Sequence, residues 1–172
     1  VKAAHTRNLE ATLHDLSGWT REMINELSAP KFRGGKAVRI HDAGDFYSLD
    51  YLNAWILIAQ ATPDVLFYAY TKEVRMVKEV ILPSNFAILF SKGGKQDHMI
   101  QESDRHADVF PDLESLLAAG YMDQEGSDLD AVRLPTTKIG IVSNNIKHLK
   151  KAQGSTSFGG LQMERDKKLG KE

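Results

Sequence analysis

The sequence predicts an α/β fold built on a mostly parallel sheet of β/α units. Three observations carry that prediction. Residues 38–40 and 65–69 are short apolar runs separated by a helical pattern of about a dozen residues, the spacing of a βαβ crossover. Both runs end in polar residues, His41-Asp42-Ala43-Gly44-Asp45 and Tyr70-Thr71-Lys72, at the carboxyl ends where parallel sheets bind their ligands. With 172 residues, 42% of them apolar, the chain suits one domain with a single core.

Taken in order, residues 1–30 read as a helical segment. Leu9, Leu13 and Leu16 recur at helical spacing, Ser17-Gly18 interrupts, and Trp19, Met23, Ile24 and Leu27 mark a second helix that stops before Ala29-Pro30. Residues 31–36 form a basic, Gly-containing connection into the first strand, residues 38–42. Ser48 is placed to cap the helix Leu49–Ala61, in which Leu52, Trp55, Ile56 and Ala59 lie at i, i+3, i+4 and i+7 and Asp50 sits in the first turn. Pro63-Asp64 turns the chain into a second strand, residues 65–70. Val74, Val77 and Ile81 predict a short helix stopped by Pro83, and Phe86–Ser91 is the third strand. Residues 95–105 form a polar surface excursion, and Val109-Phe110 a short strand. Pro111 then opens a helix carrying Leu113, Leu116 and Leu117 to Gly120. Residues 122–130 read as an acidic loop and Lys138–Val142 as the fourth strand of the sheet. The domain is thus expected over residues 1–152. Residues 153–172 are a Gly-, Ser- and Lys-rich tail, ordered by docking or by a protein partner.

Composition excludes several classes. The 22 Lys and Arg balance 23 Asp and Glu, for a net charge of −1, which argues against an obligate polyelectrolyte binder. The chain has no cysteine, so disulfides, thiolate metal sites and a cysteine nucleophile are out; a cytoplasmic location is the expectation. The longest apolar stretch, residues 54–59, is far shorter than the roughly 20 residues that cross a bilayer, so no membrane partner is expected. Residues 1–26 alternate charged and apolar positions, unlike a signal peptide.

The sharpest chemical grouping is His41, Asp42 and Asp45. An imidazole and two carboxylates at a strand end suit a divalent cation, or a division of labour between base and orienting group. They equally suit a structural role in which the two acids cap the turn and helix, His41 packs in the sheet, and Gly44 supplies the permissive backbone. Period-2 alternation puts Tyr68 and Tyr70 on one face, with hydroxyls for a ligand or for the sheet–helix boundary. Lys72 matches an anionic ligand, or an ion pair with Asp42 or Asp45. Ser91 and Lys92 open a polar loop through Gly93-Gly94-Lys95 whose N–H groups suit an anion, although the spacing is not that of a P-loop. Ser143 and Asn144 end the fourth strand and complete the ligand-binding candidates. Asp123, Glu125, Asp128 and Asp130 lack EF-hand spacing, and His98 and His106 stand alone. Lys147, His148, Lys150 and Lys151 share a C-terminal helical stretch that offers nucleic acid a basic face without an aromatic platform.

The strings RIHDAGDFYS (residues 39–48) and YLNAWILIAQATPDVLFYAYTKE (residues 51–73) resemble the hallmark of the phage-associated "gene product 88" family. His106-Ala107-Asp108-Val109-Phe110, Ala119-Gly120-Tyr121-Met122-Asp123 and Lys138-Ile139-Gly140-Ile141-Val142 resemble its later blocks, in order. The resemblance implies a partial, open β/α barrel similar to the radical-SAM scaffold. Residues 42–46 would then fall near the strand end where those enzymes hold the amino group of S-adenosylmethionine. Family members carry a Cys-containing segment upstream of the matching region. This chain has no thiolate for an iron–sulfur cluster, so radical chemistry does not carry over; the cofactor its own residues suit is a divalent cation at His41, Asp42 and Asp45. The expected function is a ligand-binding or interaction protein of a phage or mobile element, its partner a small molecule or a nucleic acid. Two alternatives stand beside it. One is a divalent-metal-dependent enzyme acting on a nucleotide or nucleic acid through His41, Asp42 and Asp45; the other is a fragment of a longer cluster-bearing enzyme.

Overall fold

A computed structural model describes residues 2–124, 126–143 and 151–171. Six strands form one open, all-parallel sheet: β1 (Ala37–Ile40), β2 (Leu66–Thr71), β3 (Phe86–Ser91), β4 (His106–Phe110), β5 (Met122–Asp123) and β6 (Lys138–Val142), in the order β1-β2-β3-β4-β6-β5. The described helices are α1 (Lys2–His14), α2 (Leu16–Leu27), α3 (Leu49–Ala61), α4 (Val74–Lys78), α5 (Leu113–Ala118), α6 (Asp130–Arg133) and α7 (Phe158–Lys168), with short 3₁₀ turns at Pro30–Phe32 and Asp97–Met99. The predicted α/β class and parallel sheet hold, and α3, β3 and β6 fall on their expected bounds. By contacts the chain divides into two compact units, Val1–Tyr68 with Met76–Ala87, and Ala69–Arg75 with Ile88–Glu172.

In the first unit, the Ser48 hydroxyl caps α3 by accepting the Tyr51 N–H at 3.2 Å. Tyr51, Leu52, Ala54, Trp55, Ile56, Ile58 and Ala59 are all buried, a wider apolar face than a single stripe, and α2 packs against this helix. At its other end the Asn85 amide donates to the carbonyls of Ala59 (2.9 Å), Thr62 (3.2 Å) and Val65 (2.9 Å). One side chain thereby satisfies groups that a helix terminus leaves unpaired and ties α3 to the entry of β2. The break between the first two helices falls at Asp15, where Ser17-Gly18 was expected. Asp15 caps α2 by accepting the Gly18 N–H at 2.8 Å, and a Cβ on Gly18 would lie 2.1 Å from the same carboxylate. Gly18 sits inside the first turn because the cap needs its space.

In the second unit, β4 and β6 pair in register from His106↔Lys138 to Phe110↔Val142, and β5 lies outside β6. The chain therefore steps outward from β4 to β5 and back to β6. Right-handed crossovers in opposite directions put their helices on opposite faces. The two cores show this: Ala107, Ile139 and Ile141 pack with Leu89 and Ala131, whereas Phe110 and Val142 pack with Leu116 and Tyr121. Gly140, on the α5 face, lets Leu116 close on the sheet; a Cβ there would lie 2.3 Å from the leucine side chain. Residues 122–130, expected as a loop, hold β5 and lead into α6. A two-residue strand and a four-residue helix are too short for periodicity to register. In the C-terminal tail, α7 packs against β4.

Gly140→Ala should overpack this contact and cost about 1–3 kcal/mol in urea unfolding. Adding Leu116→Ala should give a double variant less destabilised than the sum of the two single changes. Additive costs would mean that the two positions do not press on one another.

Candidate functional site

β1 ends at the buried Ile40, and the next residue, His41, has φ +64°, the one non-glycine residue with positive φ among the described residues. The turn places its imidazole among aromatic rings. It lies edge-on to Phe46 at 4.8 Å and tilted to Tyr51 at 5.6 Å, with Nε2 3.2 Å from the Tyr51 hydroxyl. Nδ1 is buried and has no hydrogen-bond partner among the described residues. Tyr51 is the hub of this cluster, stacked with Tyr47 at 4.6 Å and tilted against Trp19 at 5.7 Å. Burial pushes the His41 pKa down, against the opposing charge of Asp45. The Asp45 carboxylate accepts the Phe46 N–H at 2.8 Å, Asp42 is exposed, and Gly44, with φ +102°, faces open space. Among the described residues no three His, Asp or Glu side chains are grouped to hold a metal ion, so His41, Asp42 and Asp45 do not converge as a ligand set. Neighbours in sequence are separated here because the left-handed turn sends the imidazole into the ring cluster. Tyr68 is buried in the same unit. A hollow of about 350 Å³ in this unit is lined by Leu27, Phe32, Thr62 and Val65 at the entry of β2, away from the strand ends.

The second unit brings Lys72, Ser91 and Lys92 together. The Lys72 ammonium donates to the carbonyl of Lys92 at 2.8 Å and, more weakly, to that of Ser91 at 3.4 Å. The Gly93 and Gly94 N–H groups do face an anion, and it comes from this chain: they donate to the Asp97 carboxylate at 2.8 and 2.9 Å. Burial pushes the Asp97 pKa up, opposed by these two N–H groups and by the charges of Lys72 and Lys92. The Tyr70 hydroxyl lies 2.8 Å from Gln124 Oε1 and 3.2 Å from Asp128 Oδ1. Ser143 donates its N–H to the Phe110 carbonyl, and its hydroxyl is buried without a partner among the described residues. Asn144, Glu125, Lys147, His148 and Lys150 lie outside the described residues, and Lys151 is exposed.

Two buried ionisable residues lie on β4: His106, which the sequence left standing alone, and Asp108, to which it assigned no role. His106 has a carbonyl 2.8 Å from Nδ1, that of Asp104, and the Tyr121 hydroxyl 3.1 Å from Nε2. A carbonyl only accepts, so Nδ1 carries a proton; in the neutral imidazole Nε2 then accepts from the tyrosine hydroxyl. Burial pushes its pKa down, helped by Lys92 and Lys138 and opposed by the Asp104 carbonyl and Asp108. Tyr121 is pushed far up by burial, with the charges of Asp108 and Asp97 adding to it. Asp108 accepts from the Ser157 hydroxyl at 2.6 Å, the Gly159 N–H at 2.9 Å and the Val109 N–H at 2.8 Å. The signal for both was the alternation of His106, Asp108 and Phe110, which puts two ionisable groups on the face of a buried phenylalanine.

A family model described as Gene product 88 matches residues 1–169. The Gene 88 protein of Mycobacterium phage L5 is 37% identical over 65 residues, which make up 37% of this chain and 27% of that protein. No solved structure matches the chain. No helix among the described residues is long and apolar enough to cross a membrane.

Both buried histidines hold their pKa below the ordinary 6.5. The unfolded chain therefore takes up these protons first as pH falls. Their contribution to stability is complete above about pH 6.5 and is lost progressively below it. The urea midpoint should decline between about pH 6.5 and pH 5, and His106→Gln should shrink that decline. Identical slopes in the two proteins would remove His106 from the account.

Proposed function

The chain belongs to the gene product 88 family, and we propose that it is a ligand-binding protein whose recognition site is the carboxyl end of β1, residues 41–47, on a scaffold similar to that of radical-SAM enzymes but without their cluster. His41 carries this reading. A left-handed non-glycine residue costs on the order of 1–3 kcal/mol, and such strain gathers at ligand clamps and active sites. The same side chain holds a buried, unpartnered Nδ1, a second cost of about 1–3 kcal/mol. A ligand that bonds to this nitrogen relieves the second cost. The surroundings define its chemistry. Asp42 and Asp45 favour an amine, and the Tyr47 ring, 43% exposed and backed by Tyr51, offers a surface for a flat or apolar group. The rule that parallel sheets bind at strand carboxyl ends supports the same place, as does the resemblance to the strand end that holds the amino group of S-adenosylmethionine.

Trp19 and Trp55 are the two tryptophans of the chain, and both contact Tyr51, so intrinsic fluorescence reports on this cluster. Titration with S-adenosylmethionine should give a saturable change that methylthioadenosine, which lacks the amino-acid group, does not reproduce. Asp45→Asn and His41→Ala should abolish it while the far-ultraviolet circular dichroism stays unchanged. No response to S-adenosylmethionine in the folded wild type, or a response equally strong in both variants, would count against the site.

A further inference from the structure

β4 runs past β3: Ser91 pairs with Ala107, and Asp108, Val109 and Phe110 continue beyond the last residue paired with β3. The chain's own C-terminal segment covers that projecting end. Asp108, 3% exposed, accepts from Ser157 and from the Gly159 N–H at the start of α7. Gln153, also 3% exposed, donates from Nε2 to the Val109 carbonyl at 2.9 Å. The approach is close. A Cβ on Gly159 would lie 2.7 Å from Asp108 Oδ2 and 3.0 Å from Lys92 Cδ, and one on Gly93 would lie 3.0 Å from Phe158 Cβ.

The attachment is nonetheless polar. Between residues 151 and 171 the two buried side chains are Gln153 and Gln162; Phe158 and Leu161 are half-buried, and Met163 and Leu169 are 56% and 59% exposed. Leu89, Leu116 and Ile139 of the underlying cores are fully buried. Apolar burial supplies most of an element's stability, and a segment held by a few hydrogen bonds opens at a fraction of the global free energy.

We propose that residues 153–168 form a strap that closes the carboxyl ends of β3 and β4, with Asp108 as its latch, and that lifts while the sheet stays folded. Lifting frees the Asp108 carboxylate near Lys92 at the edge where parallel sheets take their ligands, so the strap gates that edge.

The absence of native cysteine makes single thiols clean reporters. Gln162→Cys places one in the strap and Ala107→Cys one in the core of β4. Labelling by a thiol reagent under native conditions should run at least roughly tenfold faster at 162 than at 107. Gly159→Ala, whose methyl strikes the latch, should speed labelling at 162 several-fold further and leave 107 unchanged. Equal rates at the two positions, or rates that rise together with Gly159→Ala, mean that the tail opens only when the sheet unfolds, and overturn the proposal. Amide exchange of the unaltered protein gives a reading free of substitutions. Residues 159–168 should lose protection well before 107–110 and 139–142, and loss in a single common step overturns the strap.

Discussion

Parallel strands cannot be joined by a tight turn; each must be reached by a crossover, and crossovers are right-handed. That constraint organises the described chain. It forces helices between strands, which is why α3 separates β1 from β2. It also dictates that the outward step from β4 to β5 and the return to β6 lay α5 and α6 on opposite faces. Two consequences are visible in β6. Ile139 and Ile141 serve the core with α6, while Gly140, between them, serves the core with α5 and must be small because Leu116 rests on it.

A parallel sheet also ends in polar groups that need partners, and the second unit satisfies several of them from its own residues. Lys72 takes the carbonyls that end β3, Asp97 fills the Gly93-Gly94 turn, Gln153 takes the Val109 carbonyl, and Asp108 receives the Ser157 hydroxyl and the Gly159 N–H at the start of the C-terminal helix. These pairings follow the general rule that buried polar groups are hydrogen-bonded. The end of β1 departs from it. There a residue with positive φ holds a buried nitrogen with no partner among the described residues; the Ser143 hydroxyl at the end of β6 is also without one, and the left-handed backbone is what sets the end of β1 apart.

Reading residues in line located the strand ends well and their chemistry poorly. His41, Asp42 and Asp45 were legible as a group because they are adjacent to the end of an apolar run. Their directions were not, since one positive φ turns the imidazole into the aromatic cluster of Phe46 and Tyr51. Lys92 and Gly93-Gly94 were legible as an anion-facing loop, but the anion, Asp97, lies in the excursion that follows and is brought back by a 3₁₀ turn. His106 was read as standing alone, and Asp108 fell outside the short strand expected at Val109-Phe110. They are part of it, buried because their partners arrive from residues 104, 121, 157 and 159.

Local signals fixed what is local: the capped, periodic helix Leu49–Ala61, the apolar runs that become β3 and β6, and the crossover spacing that makes the sheet parallel. Propensity, capping and hydrophobic period act over one or two turns or a few strand residues, and a sequence displays them directly. The tertiary structure decided the insertion of β6 between β4 and β5, the small size required at Gly140, and the docking of a polar tail onto Asp108. Each of these depends on groups far apart in sequence meeting at a particular distance. No periodicity encodes such a meeting, because the energy that selects it exists only once both partners are in place.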